Sequence, residues 1–264
     1  VKKKTFILGA SLQMVNDLRF LVLYGSQADP VLAEHSVVVP ELVHHFGANP
    51  SRAAFFYRAE GKYGKWKRRR ISRSANLTDI IEQAACSDSI ALDEPVSGNF
   101  LNVKSHIAFS FYDNVYLAAR EKSVINDNLI IGHIKLCCKY LTPKYGFSTV
   151  ASSPIALSFP YGISSTSMDI ATTRRVGDLG QSLSVTHEHL NGKIFDVYSI
   201  NILSELHVSQ AIGSATLSDW ILSENCGKLS SIKKGVFVWY VPENVREKAR
   251  DVLFREGMFI SSGY

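Results

Sequence analysis

The last seventy or so residues constrain the fold most, because strand and helix signals alternate there over short distances. Residues 193–200 read as a strand, and Asn201 or Ser204 caps a short helix after it. Residues 218–225 read as helical and end at Cys226 and Gly227, where glycine suits the left-handed C-terminal position. Residues 235–241 form an aromatic strand. Pro242 opens a helix over 243–256, with Glu243 in its first turn and Gly257 past its end. Residues 258–261 supply a last strand. Strands and helices that mix without strict alternation predict an α+β fold, a mixed, mostly antiparallel sheet or sheets covered by helices.

The earlier chain is less regular. Residues 6–10 and 19–24 read as strands, and the strand at 6–10 fits better than a secretory signal, whose apolar region is usually longer. A helix falls within 30–46, broken or restarted at Pro40. Residues 53–58 and 65–71 read as a strand pair joined by a turn at 60–64, and 76–85 as a helix capped by Asn76. Turn formers at 93–99 mark the best internal boundary. The 264 residues fit one domain, with lobes at 1–98 and 99–264 as the finer division. Beyond it, 103–111 alternates as one face of a strand, 114–122 reads as a short helix and 128–140 as a longer one. Residues 142–162 look like loop, with Pro143, Pro154 and Pro160. Residues 164–189 give no clear period. No apolar run approaches the ~20 residues of a membrane helix, so a cytoplasmic setting without membrane contact is expected.

The formal charge of +5 conceals an uneven distribution. Lys2, Lys3 and Lys4 supply three positive charges, and the stripe 62–73 supplies seven more without an acid. With those ten set aside, nineteen basic residues face twenty-four acidic ones. The body is therefore mildly acidic, with one basic stripe that carries Tyr63 and Trp66 between its charges. Both faces of such a strand carry charge, which predicts an edge strand, where charge also suppresses aggregation. Contact with the acidic surface of a protein partner, and phosphate contact with aromatic stacking, are the alternative uses of that stripe. Asp88, Asp93 and Glu94 form a small acidic cluster that reads as a solvated loop, with contact to a basic partner as the alternative. With Trp66, Arg68 and Arg70 they make up the nominated partner-binding set.

Catalytic signatures are sparse. Glu60 and Lys62 fit the acid-x-Lys step of restriction-endonuclease-like nucleases, but chance supplies about 1.5 such pairs in a chain of this composition. The Pro-Asp step usual upstream is absent, since Asp29 precedes Pro30. His187 and His189 would share a strand face and seed a zinc site if a third ligand stood near, and none does. An exposed turn is the preferred reading there. His44 and His45 sit at a helix end, where imidazolium meets the dipole favourably. Cys86, Cys137, Cys138 and Cys226 have no metal-ligand spacing and read as reduced, mostly buried thiols. No catalytic residue, metal ligand or cofactor is assigned.

One resemblance emerges. Tyr145 and Gly146, then Phe159 to Gly162, precede the segment running from Phe195 through Asp196, Val197 and Tyr198 to Ser204. Leu217 to Ile221 and Phe237 to Val241 follow in order. This succession resembles the immunity protein 52 family of polymorphic-toxin systems, over roughly residues 145–259. Related sequences tend to have arginine where this chain has Phe195. The resemblance implies a non-enzymatic toxin inhibitor active in bacterial competition. It would bind a cognate nuclease toxin, such as a type VI secretion effector, stoichiometrically and without a cofactor. The alternative is a nucleic-acid-binding or restriction-endonuclease-like protein that uses the stripe 62–73.

Overall fold

The computed structural model describes residues 17–25, 27–28, 35–58, 66–72, 89–95, 103–110, 115–158, 161 and 169–260. The expected elements at 6–10 and 76–85, the 60–64 turn with Glu60 and Lys62, and Cys86 and Asp88 lie outside them.

The central strand is β1 (Asp17–Tyr24), whose side chains feed two cores. Leu18, Phe20, Val22 and Tyr24 enter one, and Leu21 and Leu23 the other. A strand buried on both faces reads as a continuous apolar run, as this one does. Short β2 (Gln27–Ala28) follows, then α1 (His35–His45). Pro40 lies inside α1 without breaking it. The hydrogen bond lost at the proline is outweighed by burial of Val38, Val39, Leu42 and Val43.

β3 (Arg52–Arg58) and β4 (Trp66–Ser72) pair antiparallel as expected. β5 (Ser89–Pro95) runs through the start of the expected boundary turn and pairs with β6 (Val103–Ser110). A continuous sheet therefore crosses the 98/99 division. The expected helix at 114–122 is instead β7 (Val115–Glu121). Ala118 and Ala119 favour helix locally, but β7 lies between β1 and β6, and its first five residues are buried. Tertiary pairing overrides propensity here.

Next come α2 (Asp127–Tyr140), β8 (Leu141–Thr142), β9 (Tyr145–Ser152) and α3 (Ser153–Ser158). The Asn126 side chain caps α2, accepting from the Leu129 amide at 2.9 Å. The expected loop at 142–162 is thus largely strand and helix. Its glycine is a packing device: a Cβ on Gly146 would press into the Val22 carbonyl oxygen. The unassigned region holds α4 (Ile170–Gln181), followed by a π-helical turn over 182–186 and a 3-10 turn over 188–190.

The C-terminal block contains β10 (Ile200–Ser204), α5 (Glu205–Val208), β11 (Ala211–Ile212), β12 (Ala215–Thr216) and α6 (Leu217–Ser223). β13 (Lys228–Lys233), β14 (Val236–Tyr240) and α7 (Glu243–Arg255) complete it. β13 has no counterpart in the sequence reading. The expected last strand reduces to a parallel bridge between Phe259 and Ile194.

The main sheet has ten strands in the order β13-β14-β10-β9-β1-β7-β6-β5-β3-β4, all paired antiparallel. Helices α1 and α2 cover one face through Leu42, Val43, Ile130 and Ile134. Helices α3 to α7 cover the other through Ala156, Leu179, Val208, Trp220 and Leu253. This is the expected α+β class, with β4 at one edge as its charge pattern predicts. Among the described residues no helix is long and apolar enough to cross a membrane.

Gly146→Ala should destabilise the protein by roughly 1–3 kcal/mol, the usual cost of overpacking. A urea midpoint equal to that of the unaltered protein would contradict the close approach to β1.

Candidate functional site

The nominated partner-binding residues fall at the β4 end of the sheet. Register joins Arg70 to Ala54 and Ala91, and Ser72 to Arg52 and Asp93. Opposed residues in an antiparallel sheet share a face. Trp66, Arg68 and Arg70 therefore belong by register to the face that carries Asp93, and Glu94 belongs to the other. The cluster is divided by strand alternation, and its two described acids are already engaged. Asp93 meets His106 Nδ1 at 2.5 Å. Glu94 accepts from the Ser105 hydroxyl at 3.1 Å and the Asn49 amide at 3.3 Å.

A more elaborate polar centre lies on the opposite half. The expected strand at 193–200 begins only at Ile200, because side chains take over the backbone before it. Asp196 accepts from the amide of Val197 at 2.7 Å, and Asn201 accepts from the Tyr198 amide at 3.0 Å. Such local bonds compete with a strand ladder. Asp196 is 4% exposed. Its Oδ1 also accepts from Arg250 Nε on α7 at 2.7 Å, and its Oδ2 meets the Arg175 guanidinium on α4. Burial alone would lower the pKa of Arg175, but the Asp196 carboxylate, together with Tyr198 and Tyr145, turns the net direction upward.

The Arg175 guanidinium lies 5.3 Å from the centroid of the Phe195 ring, a cation–π arrangement. Where the resemblance expects arginine, the chain thus has a ring with an arginine of α4 over it. Tyr198 stacks on Phe147 at 4.3 Å between centroids. A cavity of about 210 Å³ opens beside these groups, bounded by Phe20, Ile155, Arg175 and Tyr198. Both Asp196 oxygens are already taken by donors, so the carboxylate holds the segment in place between α4 and α7.

His133, His189 and His207 are buried, whereas His44, His45 and His187 are exposed. His187 is exposed in a left-handed conformation, whereas His189 is buried in a 3-10 turn, so the two do not share a strand face. The Ser182 hydroxyl lies 2.8 Å from His189 Nδ1. His207 Nδ1 caps α5 through Ser204, while its Nε2 lies 3.1 Å from the Lys193 carbonyl. Across the sheet, His133 lies 2.5 Å from the Tyr116 hydroxyl and 3.2 Å from His45. Burial pushes the His133 pKa from 6.5 down to about 3, and those of His189 and His207 down to about 4. Cys137, Cys138 and Cys226 are buried and free. Among the described residues no group of three or more His, Cys, Asp or Glu is placed to hold a metal ion.

Sequence reading treated the segment around Asp196 as framework and missed the arginines that converge on it. Arg175 and Arg250 are 75 residues apart, on helices that only the tertiary structure brings together. The Asp196 signal itself was present in the family-like segment.

A solved structure of a T6SS (type VI secretion system) protein from Pseudomonas aeruginosa is similar over 94% of this chain and 78% of that one. The TM-score is 0.54 and the identity 12%. At that identity the likeness concerns the fold alone. No protein-family model matches the chain, and no curated protein sequence matches it.

Two outcomes follow from these groups. Arg250→Ala should cost roughly 1.5–3 kcal/mol, the range for a hydrogen bond to a charged group. An unchanged urea midpoint would show that Arg175 alone suffices. The unfolded chain binds the three histidine protons near pH 6.5, and the folded chain only near pH 4 or below. Stability present above pH 6.5 is therefore lost as pH falls toward 4, by up to about 1.4 kcal/mol per pH unit for each histidine. Urea midpoints measured across that window should decline, and a flat profile would contradict the neutral, buried state of these rings.

Proposed function

We propose that the chain is an immunity protein of the immunity protein 52 kind, which binds and neutralises a cognate nuclease toxin of a type VI secretion system in the bacterial cytoplasm. The observation that carries this reading is the fold likeness to the Pseudomonas aeruginosa T6SS protein, which extends over 94% of the chain. The order of segments between residues 145 and 259 points the same way. Activity on this reading is stoichiometric binding. Specific interfaces of that kind bury on the order of 1,600 Å². Trp220 and Trp239 do not supply its anchors, since both are buried in the frame. Trp239 Nε1 donates to the Cys226 carbonyl at 2.9 Å, as a core tryptophan does.

The test is co-expression in a sensitive bacterium with the toxin encoded beside this gene. Full restoration of growth, with a one-to-one complex on gel filtration, is the expected result. Undiminished killing in the presence of well-expressed protein would sink the proposal.

A second reading is nucleic-acid binding by β4, favoured by four successive basic residues, Lys67 to Arg70, on an edge strand. It predicts retention of DNA or RNA that weakens steeply with salt. Replacement of Lys67, Arg68, Arg69 and Arg70 by alanine should abolish that retention. If retention persists, β4 is not the contact.

A further inference from the structure

The two faces of the sheet are covered unequally at the β13–β14 end. On one face α6 packs on β13. On the other, a groove of about 620 Å³ lies between α2 and the exposed ends of β13 and β14. Its floor is apolar, formed by Ile232, Val238 and Tyr240, and Ile131 on α2 faces it. Residues 128, 131 and 135 of α2 line the wall at helical spacing.

The charge of the groove is unbalanced. Asp127, its one carboxylate, is bound to Arg19. The Lys135 and Lys228 side chains are exposed and make no hydrogen bond or ion pair among the described residues. Apolar floor and free lysines together fit an acidic amphipathic partner. The edge of β13 is a poor template for an added strand. Its register is broken by a bulge between Ser231 and Lys233, and Lys233 folds back to the Cys138 carbonyl at 3.2 Å. The face remains open where the edge is guarded.

We propose that this groove receives an acidic amphipathic helix of the toxin, laid beside α2 as a further member of the layer formed by α1 and α2. The inference rests on the immunity reading and adds the surface and the chemistry of what it recognises. Apolar residues of the incoming helix, three and four positions apart, fill the floor over Ile232 and Tyr240. Its carboxylates meet Lys135 and Lys228.

Calorimetry with the purified nuclease domain of the adjacent toxin tests this. The full chain is compared with the double variants Lys135→Glu/Lys228→Glu and Lys135→Arg/Lys228→Arg. The expected result is at least a tenfold weaker Kd for the glutamate pair and near-normal binding for the arginine pair. Both side chains are exposed, so circular dichroism and the urea midpoint should not change. If the glutamate pair binds as tightly as the unaltered chain, the groove is not the site, and the immunity reading stands. If the unaltered chain does not bind, both fall. Amide protection in the complex concentrated on β13 would indicate an added strand and overturn the helix assignment. A dimer of the unaltered chain that the glutamate pair converts to monomer would give the groove to a second copy and overturn it as well.

Discussion

β1 pairs with β9 on one side and β7 on the other, and the ten-stranded sheet depends on the register of both pairings. Its alternate residues supply two separate cores, so a slip of one residue would exchange the contents of both. The slip is opposed on each side. Gly146 approaches the Val22 carbonyl oxygen too closely for any other residue, which fixes β9 against β1. On the other side Tyr116, opposite Leu23, is fully buried with its hydroxyl on His133. Through β1 the strands β7, β6, β5, β3 and β4 are joined to β9, β10, β14 and β13. Neither half forms a complete layer without it.

The Asp196 centre solves a problem that this sheet creates. The chain must leave the bridge at Ile194 and enter β10 at Ile200, opposite both Ser148 and Tyr240. The turn between is buried, and buried backbone polar groups need partners. Asp196 and Asn201 supply them from within the segment, and two arginines balance the carboxylate from α4 and α7. A buried carboxylate without such partners would cost several kcal/mol. The same side chain therefore shapes the turn and ties two helices to it.

Legibility in the sequence follows from whether local and tertiary preferences agree. Pro242, Glu243 and Gly257 bracket α7 because caps are local signals, and α7 appears where they place it. The charge pattern of 65–71 marked an edge strand because no buried position tolerates basic residues on both faces, and β4 is at the edge. β7 and β9 were misread because their strand character comes from neighbours distant in sequence. Alanines in the one, and prolines around a glycine in the other, carry opposite local signals. The nominated contact residues were chosen by charge, and charge does not disclose pairing. Asp93 and Glu94 have partners within the chain, and strand alternation places them on opposite faces. The groove on β13 and β14 could not be read at all, since β13 was not recognised and the wall comes from a helix about a hundred residues away.

The sheet also decides whether the basic stripe and the groove can serve one partner. β4 and β13 are its two outermost strands, with nine strand spacings between them. At about 4.8 Å per spacing they stand roughly 43 Å apart along the sheet. A standard interface covers about 800 Å² of each protein, a patch roughly 32 Å across if round. One footprint of that size does not reach both ends. If the proposed helix seats beside α2, the β4 stripe falls outside that footprint, and its charges suit the task of an edge strand, to repel a second sheet. At β4 the charge pattern is that of a protected edge, whereas at β13 the bulge and Lys233 guard the edge and the lysines of the groove stand on the open face.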